Sequence, residues 1–92
     1  MQTGTVTITN RLGVHARPSA MVVERATSFE SEVWLEKEGL KINAKSIMGV
    51  MMLAAEQGCE LNISTEGPDE QQALAGMTEI LGSGFGEIDK AS

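Results

Sequence analysis

The spacing of apolar residues changes its period along the chain, and this constrains the fold more than any other feature. Residues 5–9 alternate polar and apolar side chains, which places Val6 and Ile8 on one face of a half-buried strand. Residues 16–28 change to a helical period with two adjacent stripes, formed by Ala16, Ala20, Val23 and Thr27 and by Ser19, Val22 and Ala26. The segment therefore predicts an amphipathic helix, and Pro18 is compatible with its first turn.

Two short strand-like runs, residues 33–35 and 40–42, follow this helix. They flank a turn in which Gly39 can adopt a positive φ, so we expect a β-hairpin. Ser46 is a suitable N-cap for a second, shorter helix, which we expect to end near Gly58.

The last third of the chain predicts one more strand and one more helix. Residues 61–65 alternate again, with Leu61, Ile63 and Thr65 on one face. After the turn signal Gly67-Pro68-Asp69, a core stripe at helical spacing is formed by Ala73, Leu74, Met77, Ile80 and Leu81.

The resulting element order, βαββαβα, predicts an α+β open-faced sandwich in which a four-stranded antiparallel sheet is covered on one face by three helices. Apolar residues make up 41% of the chain and aromatics 3%, so the core must be mostly aliphatic side chains and methionine, with Phe29, Trp34 and Phe85 as the few large pieces. We expect residues 1–92 to form a single domain. Gly82, Gly84 and Gly86 predict a flexible tail over about residues 86–92.

Charge and cysteine content exclude several classes of protein. A net charge of −6 disfavours nucleic-acid and anionic-membrane partners, which require clustered basic residues. The single Cys59 excludes an internal disulfide and a cysteine-rich zinc cage. Residues 1–9 do not resemble a signal peptide, so we expect a soluble cytoplasmic protein without membrane insertion. We expect neither metal nor cofactor, because the carboxylates lack convergent spacing: Glu36, Glu38, Glu66, Asp69 and Glu70.

The only histidine of the sequence lies where the first strand gives way to the first helix. A side chain at a helix N-cap faces outward-pointing N–H groups and the positive end of the helix dipole, which together attract a phosphate. His15 is therefore a candidate nucleophile for a phosphoryl group, and Arg17 can supply a guanidinium beside the acquired charge. The alternative is that His15 is only a helix cap or a surface residue. The residue pattern leaves both interpretations open.

Two segments resemble the signatures of a known family. Residues 10–19, Asn-Arg-Leu-Gly-Val-His-Ala-Arg-Pro-Ser, resemble the active-site signature of the HPr phosphocarrier family of the bacterial phosphoenolpyruvate-dependent phosphotransferase system. Residues 45–51, Lys-Ser-Ile-Met-Gly-Val-Met, resemble its second signature, and the similarity extends from about residue 5 to residue 85.

The resemblance implies that enzyme I phosphorylates His15 on Nδ1, and that the group passes to enzyme IIA proteins in sugar uptake or its regulation. It implies that Ala16 and Arg17 bind the phosphate, and that the protein is a monomeric carrier and not an independent multi-turnover enzyme. The residues that match the family's partner surface are Ala20, Met21, Ile47, Met48 and Met51.

The second signature also bears on regulation. In the low-GC Gram-positive branch of the family the serine that matches Ser46 is phosphorylated by an ATP-dependent kinase. The resemblance therefore extends to an HPr kinase/phosphorylase and a transcriptional regulator as further partners, in addition to the cap that Ser46 provides.

Departures from the family keep other interpretations open. Glu24 and Gly49 stand where related carriers often have lysines that face enzyme I, although Arg17, Arg25 and Lys45 are expected on or near that face. One alternative is the carrier of the nitrogen-related regulatory relay, NPr, which uses the same type of site. More remote alternatives are an acylphosphatase-like enzyme and an interaction module whose histidine is incidental.

Overall fold

The structure is a computed structural model that describes residues 1–86. Its strands are β1 (Gln2–Thr7), β2 (Glu32–Lys37), β3 (Leu40–Asn43) and β4 (Glu60–Glu66). Its helices are α1 (Ala16–Thr27), α2 (Ile47–Leu53) and α3 (Glu70–Gly82), followed by a short 3₁₀ turn, Gly84–Gly86. The element order confirms the predicted βαββαβα sandwich.

The sheet is fully antiparallel and has the strand order β1-β4-β2-β3. Its inner face places Leu35 opposite Ile63 and Val33 opposite Thr65, and all four side chains are buried. Helix α3 packs on β1 and β4, whereas α2 packs on β2 and β3. This arrangement brings the start of α1 close to the end of α2, where the candidate site lies.

Only one of the two stripes predicted for α1 is buried. Ser19, Val22 and Ala26 lie in the core together with Pro18. The other stripe is wrong as a core face, because Ala16, Ala20 and Thr27 are exposed and Val23 is half-buried. In α3 four residues of the predicted stripe are buried and Leu74 is half-buried. Phe85 joins the core, but Phe29 and Trp34 are half-buried, so the core has one fully buried aromatic ring among residues 1–86.

Two predicted boundaries are wrong. The first strand runs over Gln2–Thr7 and not residues 5–9, because β1 pairs with β4 from Gln2 opposite Thr65 onward. The second helix ends at Leu53 and not near Gly58, because Ala54 adopts a left-handed conformation with φ of 50° and its N–H bonds to the Met51 carbonyl.

The left-handed Ala54 leads to a stability prediction. Such a conformation costs an L-residue about 1–2 kcal/mol, whereas glycine adopts it freely but loses more entropy on folding. We expect Ala54→Gly to raise the free energy of unfolding by about 0.5–1 kcal/mol, measured by denaturant titration. Ala75→Gly, at an exposed position inside α3, is the matched control and should lower it by about 1 kcal/mol. A loss of stability in Ala54→Gly would contradict the prediction.

A 3₁₀ turn lies at the point where the predicted tail begins. Residues 84–86 form the 3₁₀ turn, in which Phe85 has φ of 57° and is 1% exposed. The large apolar ring is buried in the core, as the sequence predicts for one of its few aromatic side chains. The remainder of the predicted tail, residues 87–92, lies outside the described residues.

Asp69 connects the start of α3 with the loop between α1 and β2. Its carboxylate accepts hydrogen bonds from the Glu30 N–H at 3.0 Å and from the Ser31 N–H and hydroxyl at 2.9 and 2.5 Å. The Ser31 hydroxyl and the Glu30 N–H hold the pKa of Asp69 below its ordinary value. The start of α3 is thereby tied to the loop that follows α1.

This network predicts a contribution to acid stability. Because the pKa of Asp69 is lower in the folded state, its stabilisation is present above the ordinary aspartate pKa and is lost as the pH falls through the native pKa. We expect Asp69→Asn to flatten the decline of unfolding free energy in acid, measured by urea titration at several pH values. Part of the acid-induced loss of unfolding free energy should remain in this variant, because the pKa of Glu70 is also lowered, mainly by the Gly67 N–H. An unchanged slope would contradict the prediction, and Glu24→Gln is a control on an exposed carboxylate.

Candidate functional site

His15 is the N-cap of α1, as the sequence predicts. Its backbone is extended, with φ of −89° and ψ of −164°, and its carbonyl accepts the Ser19 N–H at 2.8 Å. The half-buried imidazole does not cap its own helix. The first-turn N–H groups, to which Ala16 and Arg17 contribute, point out of the helix on this side. The ring therefore lies at the end of α1 that favours an anion.

The loop before His15 is held in place by its backbone. The Asn10 side-chain amide donates to the Gly13 carbonyl at 2.7 Å, and the Val14 N–H donates to the Ala55 carbonyl at 2.9 Å. Gly13 has φ of +67°, and a Cβ atom there would collide with the Ala55 carbonyl oxygen. Glycine is thus required for the loop to lie against the end of α2.

Arg17 extends from the first turn of α1 toward the 3₁₀ turn. Its Nη2 donates to the Phe85 carbonyl at 3.4 Å, and its Nη1 lies 3.6 Å from the Met21 Sδ. The guanidinium is thus anchored near the start of α1 by a residue 68 positions away. No local pattern in the sequence indicates this contact.

Ser46 caps α2, as predicted. Its hydroxyl accepts the Gly49 N–H at 3.1 Å, and its own N–H donates to the Asn43 carbonyl at 3.0 Å. The serine is half-buried at the start of a helix whose next two residues, Ile47 and Met48, are exposed. A change of charge at Ser46 would therefore act next to an apolar surface.

A group of apolar side chains on α2 and in the loop before His15 is exposed to solvent. We call it the apolar surface: Leu12, Ile47, Met48, Met51 and Met52. Its most exposed members are Met48 at 72%, Leu12 at 68% and Met52 at 64%. Val50 and Leu53 point into the core instead, as expected. Leu12 and Met52 are not among the partner-surface residues that the resemblance implies, although an apolar residue inside a polar loop was a signal for Leu12.

Two basic residues that we expected near the partner face are used within the protein. The Arg25 Nη1 donates to the Gly76 carbonyl and to Glu79 on α3, both at 3.2 Å. The Lys45 ammonium donates to the Phe29 carbonyl at 2.9 Å. These two charges join helices and loops, which leaves less positive charge for a partner than the sequence suggested.

Other types of site are not evident in the described part of the chain. No group of three or more His, Cys, Asp or Glu side chains within residues 1–86 is arranged to hold a metal ion. Over the same residues, none of the helices has the length and apolar character that crossing a membrane requires.

Comparison with known proteins decides the family. Residues 2–83 match the PTS-HPr family, described as the PTS HPr component phosphorylation site. The chain belongs to the HPr family. This confirms the resemblance on which the sequence analysis relied, and the match includes both His15 and Ser46.

Relatives of the HPr family cover nearly the whole chain. Phosphocarrier protein HPr of Treponema pallidum is 47% identical over 83 residues, which are 90% of this chain and 94% of the relative. The crystal structure of HPr from Thermoanaerobacter tengcongensis has a TM-score of 0.91 at 44% identity, and the match covers 96% of this chain and 99% of that one. HPr from Bacillus anthracis follows with a TM-score of 0.84 at 38% identity, covering 87% and 95%. These are related phosphocarriers with the same fold.

Proposed function

We propose that this HPr family member carries a phosphoryl group from phosphorylated enzyme I to enzyme IIA proteins on Nδ1 of His15. The observation that supports this most is the position of His15 at the N-terminus of α1, two residues before Arg17, whose guanidinium is held near the start of the helix. The helix N-terminus favours the incoming negative charge, and Arg17 binds phosphate oxygens.

In the proposed step, the lone pair of Nδ1 attacks phosphorus. A P–N bond forms as the bond between phosphorus and the donor breaks, and the donor keeps that electron pair. The protein contributes position and electrostatic stabilisation, because little other chemistry is needed in phosphoryl transfer. The Arg17 contact with the neutral Phe85 carbonyl is long, at 3.4 Å, so a phosphate dianion can compete for the guanidinium. The second transfer, to enzyme IIA, reverses these roles.

Incubation with phosphoenolpyruvate and enzyme I tests the proposal. We expect the intact protein to gain the mass of one phosphoryl group, and we expect the adduct to be acid-labile and to map to His15 in alkaline peptide analysis. A parallel incubation with the enzyme I of the nitrogen-related relay separates the HPr role from the NPr role by rate. A folded sample that gains no mass with either donor would overturn the carrier proposal. Sustained release of phosphate from an acyl phosphate would favour the acylphosphatase-like alternative.

We assign the docking of both partners to the face that carries Ala20, Met21, Ile47, Met48 and Met51. The supporting observation is the exposure of the α2 methionines beside α1. Methionine is flexible and polarizable, which suits a carrier that must bind unlike partners in turn.

We also propose that the protein acts in the cytoplasm as a monomer. Because an HPr of Thermoanaerobacter tengcongensis is described as a dimer, sedimentation analysis is the direct measurement.

We further propose that an HPr kinase/phosphorylase modifies Ser46, and that the product binds a transcriptional regulator. A phosphate there adds about two negative charges next to Ile47 and Met48, at the start of α2. We expect Ser46→Asp to lower the rate of His15 phosphorylation by about tenfold through weaker docking, without loss of fold. Thr78→Asp, on the exposed side of α3, adds the same charge elsewhere and is the control. Equal rates in the two variants would contradict the regulatory role.

A further inference from the structure

Lys37, at the end of β2, stabilises the end of a helix to which it does not belong. Its ammonium donates to the Leu53 carbonyl at 3.2 Å and to the Ala54 carbonyl at 3.1 Å. The last carbonyls of a helix lack partners within the helix and carry the negative end of its dipole, so a cation is favourable there. Ile47–Leu53 contains no basic residue, so β2 supplies the charge from outside. The Lys37 side chain is 16% exposed, and its ammonium also lies 3.9 Å from the exposed carboxylate of Glu38.

The end of α2 in turn holds the loop that carries the histidine. Ala55 follows the two carbonyls that Lys37 binds, and its own carbonyl accepts the Val14 N–H at 2.9 Å. Gly13 fits against the same carbonyl because it has no side chain. Val14 immediately precedes His15. A continuous path of short contacts thus connects the Lys37 ammonium with the backbone of the N-cap.

We propose that Lys37 is a positioning residue for phosphoryl transfer at His15. It fixes the last turn of α2, and the Ala55 carbonyl then fixes the loop that presents the imidazole. The proposal rests on the carrier function proposed above, but its structural half is testable without any donor protein. The groups that Lys37 binds at the end of α2 are backbone carbonyls, so its proposed effect on His15 passes through the backbone.

Three variants test the proposal. Lys37→Met removes the charge and keeps most of the side-chain volume, whereas Lys37→Arg keeps donors at a similar reach. Lys41→Met makes the same change on β3, where the ammonium lies 5.2 Å from the centre of the Trp34 ring and not against α2. Amide hydrogen exchange of Val14 is measured relative to Ile63 in the core. The rate at which phosphorylated enzyme I transfers its group to His15 is measured at several concentrations of each variant, and each rate is divided by the folded fraction of the sample.

We expect Val14 exchange to accelerate by at least about tenfold relative to Ile63 in Lys37→Met, because this variant loses two charge-assisted hydrogen bonds and one alone corresponds to about that factor. We expect the maximal phosphorylation rate to fall by about tenfold and KM to rise by less, because the ring is misplaced, whereas Met51 is the one proposed docking residue in the turn that Lys37 fixes. Lys37→Arg should restore part of both values, and Lys41→Met should match the unchanged protein.

Three results would overturn the proposal. They are an unchanged Val14 exchange, an acceleration shared equally by Val14 and Ile63, and a loosened Val14 with unchanged transfer kinetics. If the unchanged protein itself accepts no phosphoryl group, the carrier function fails. The exchange result would then still decide whether Lys37 holds the loop.

Discussion

His15→Gln is expected to remain folded and to accept no phosphoryl group from enzyme I. The backbone of His15 holds the start of α1, because its carbonyl accepts the Ser19 N–H, and the side chain does not cap the helix. Glutamine preserves the backbone and replaces the imidazole by an amide, which is not a nucleophile under these conditions. Intact-mass analysis after incubation with phosphoenolpyruvate and enzyme I measures acceptance, and thermal unfolding measures the fold.

A substitution on the same helix provides the control for this variant. Thr27→Gln introduces the same side chain at the exposed far end of α1 and should accept the group at the unchanged rate. Full phosphorylation of His15→Gln would assign the acceptor to another residue. Ser46 would be the first to map, because it is the second residue to which the resemblance assigns phosphorylation.

Phe85→Ala is expected to lower the free energy of unfolding by about 3–5 kcal/mol, the range for removing a buried phenylalanine ring. Phe85 is 1% exposed and is the largest fully buried side chain within residues 1–86. The substitution also releases the 3₁₀ turn whose carbonyl accepts the Arg17 Nη2, so we expect slower phosphorylation of the folded fraction. Denaturant titration measures the stability.

The exposed Met52→Ala is the control for cavity formation at Phe85. Met52 is 64% exposed, so its truncation should change the unfolding free energy by less than about 0.5 kcal/mol. If Phe85→Ala costs no more than this control, the turn is not part of the core and the anchor for Arg17 is elsewhere.

The sequence by itself determined the features that depend on neighbours within one or two turns of chain. The change of apolar spacing from period two to a helical period predicts a strand before a helix, as β1 and α1 are. It also predicts His15 at the helix N-cap, where the structure has it. Ser46 is a predictable cap because serine is a favoured N-cap residue and its hydroxyl needs to reach only three residues along the chain, to the Gly49 N–H. Such interactions are local, so residue types and spacing are sufficient to predict them.

Tertiary structure decided the contacts between distant parts of the chain, both at the site and away from it. Arg17 meets Phe85 across 68 residues, Asp69 meets Ser31 across 38, and Lys37 meets Leu53 across 16. Helix α2 also ends earlier than the residue types predict. Ala54 adopts the left-handed conformation that closes the helix, whereas glycine, the usual residue in this conformation, next occurs at Gly58. Partners at these separations depend on how the helices lie on the sheet. Periodicity reports which face of each element is buried, but not which distant backbone group that face will meet.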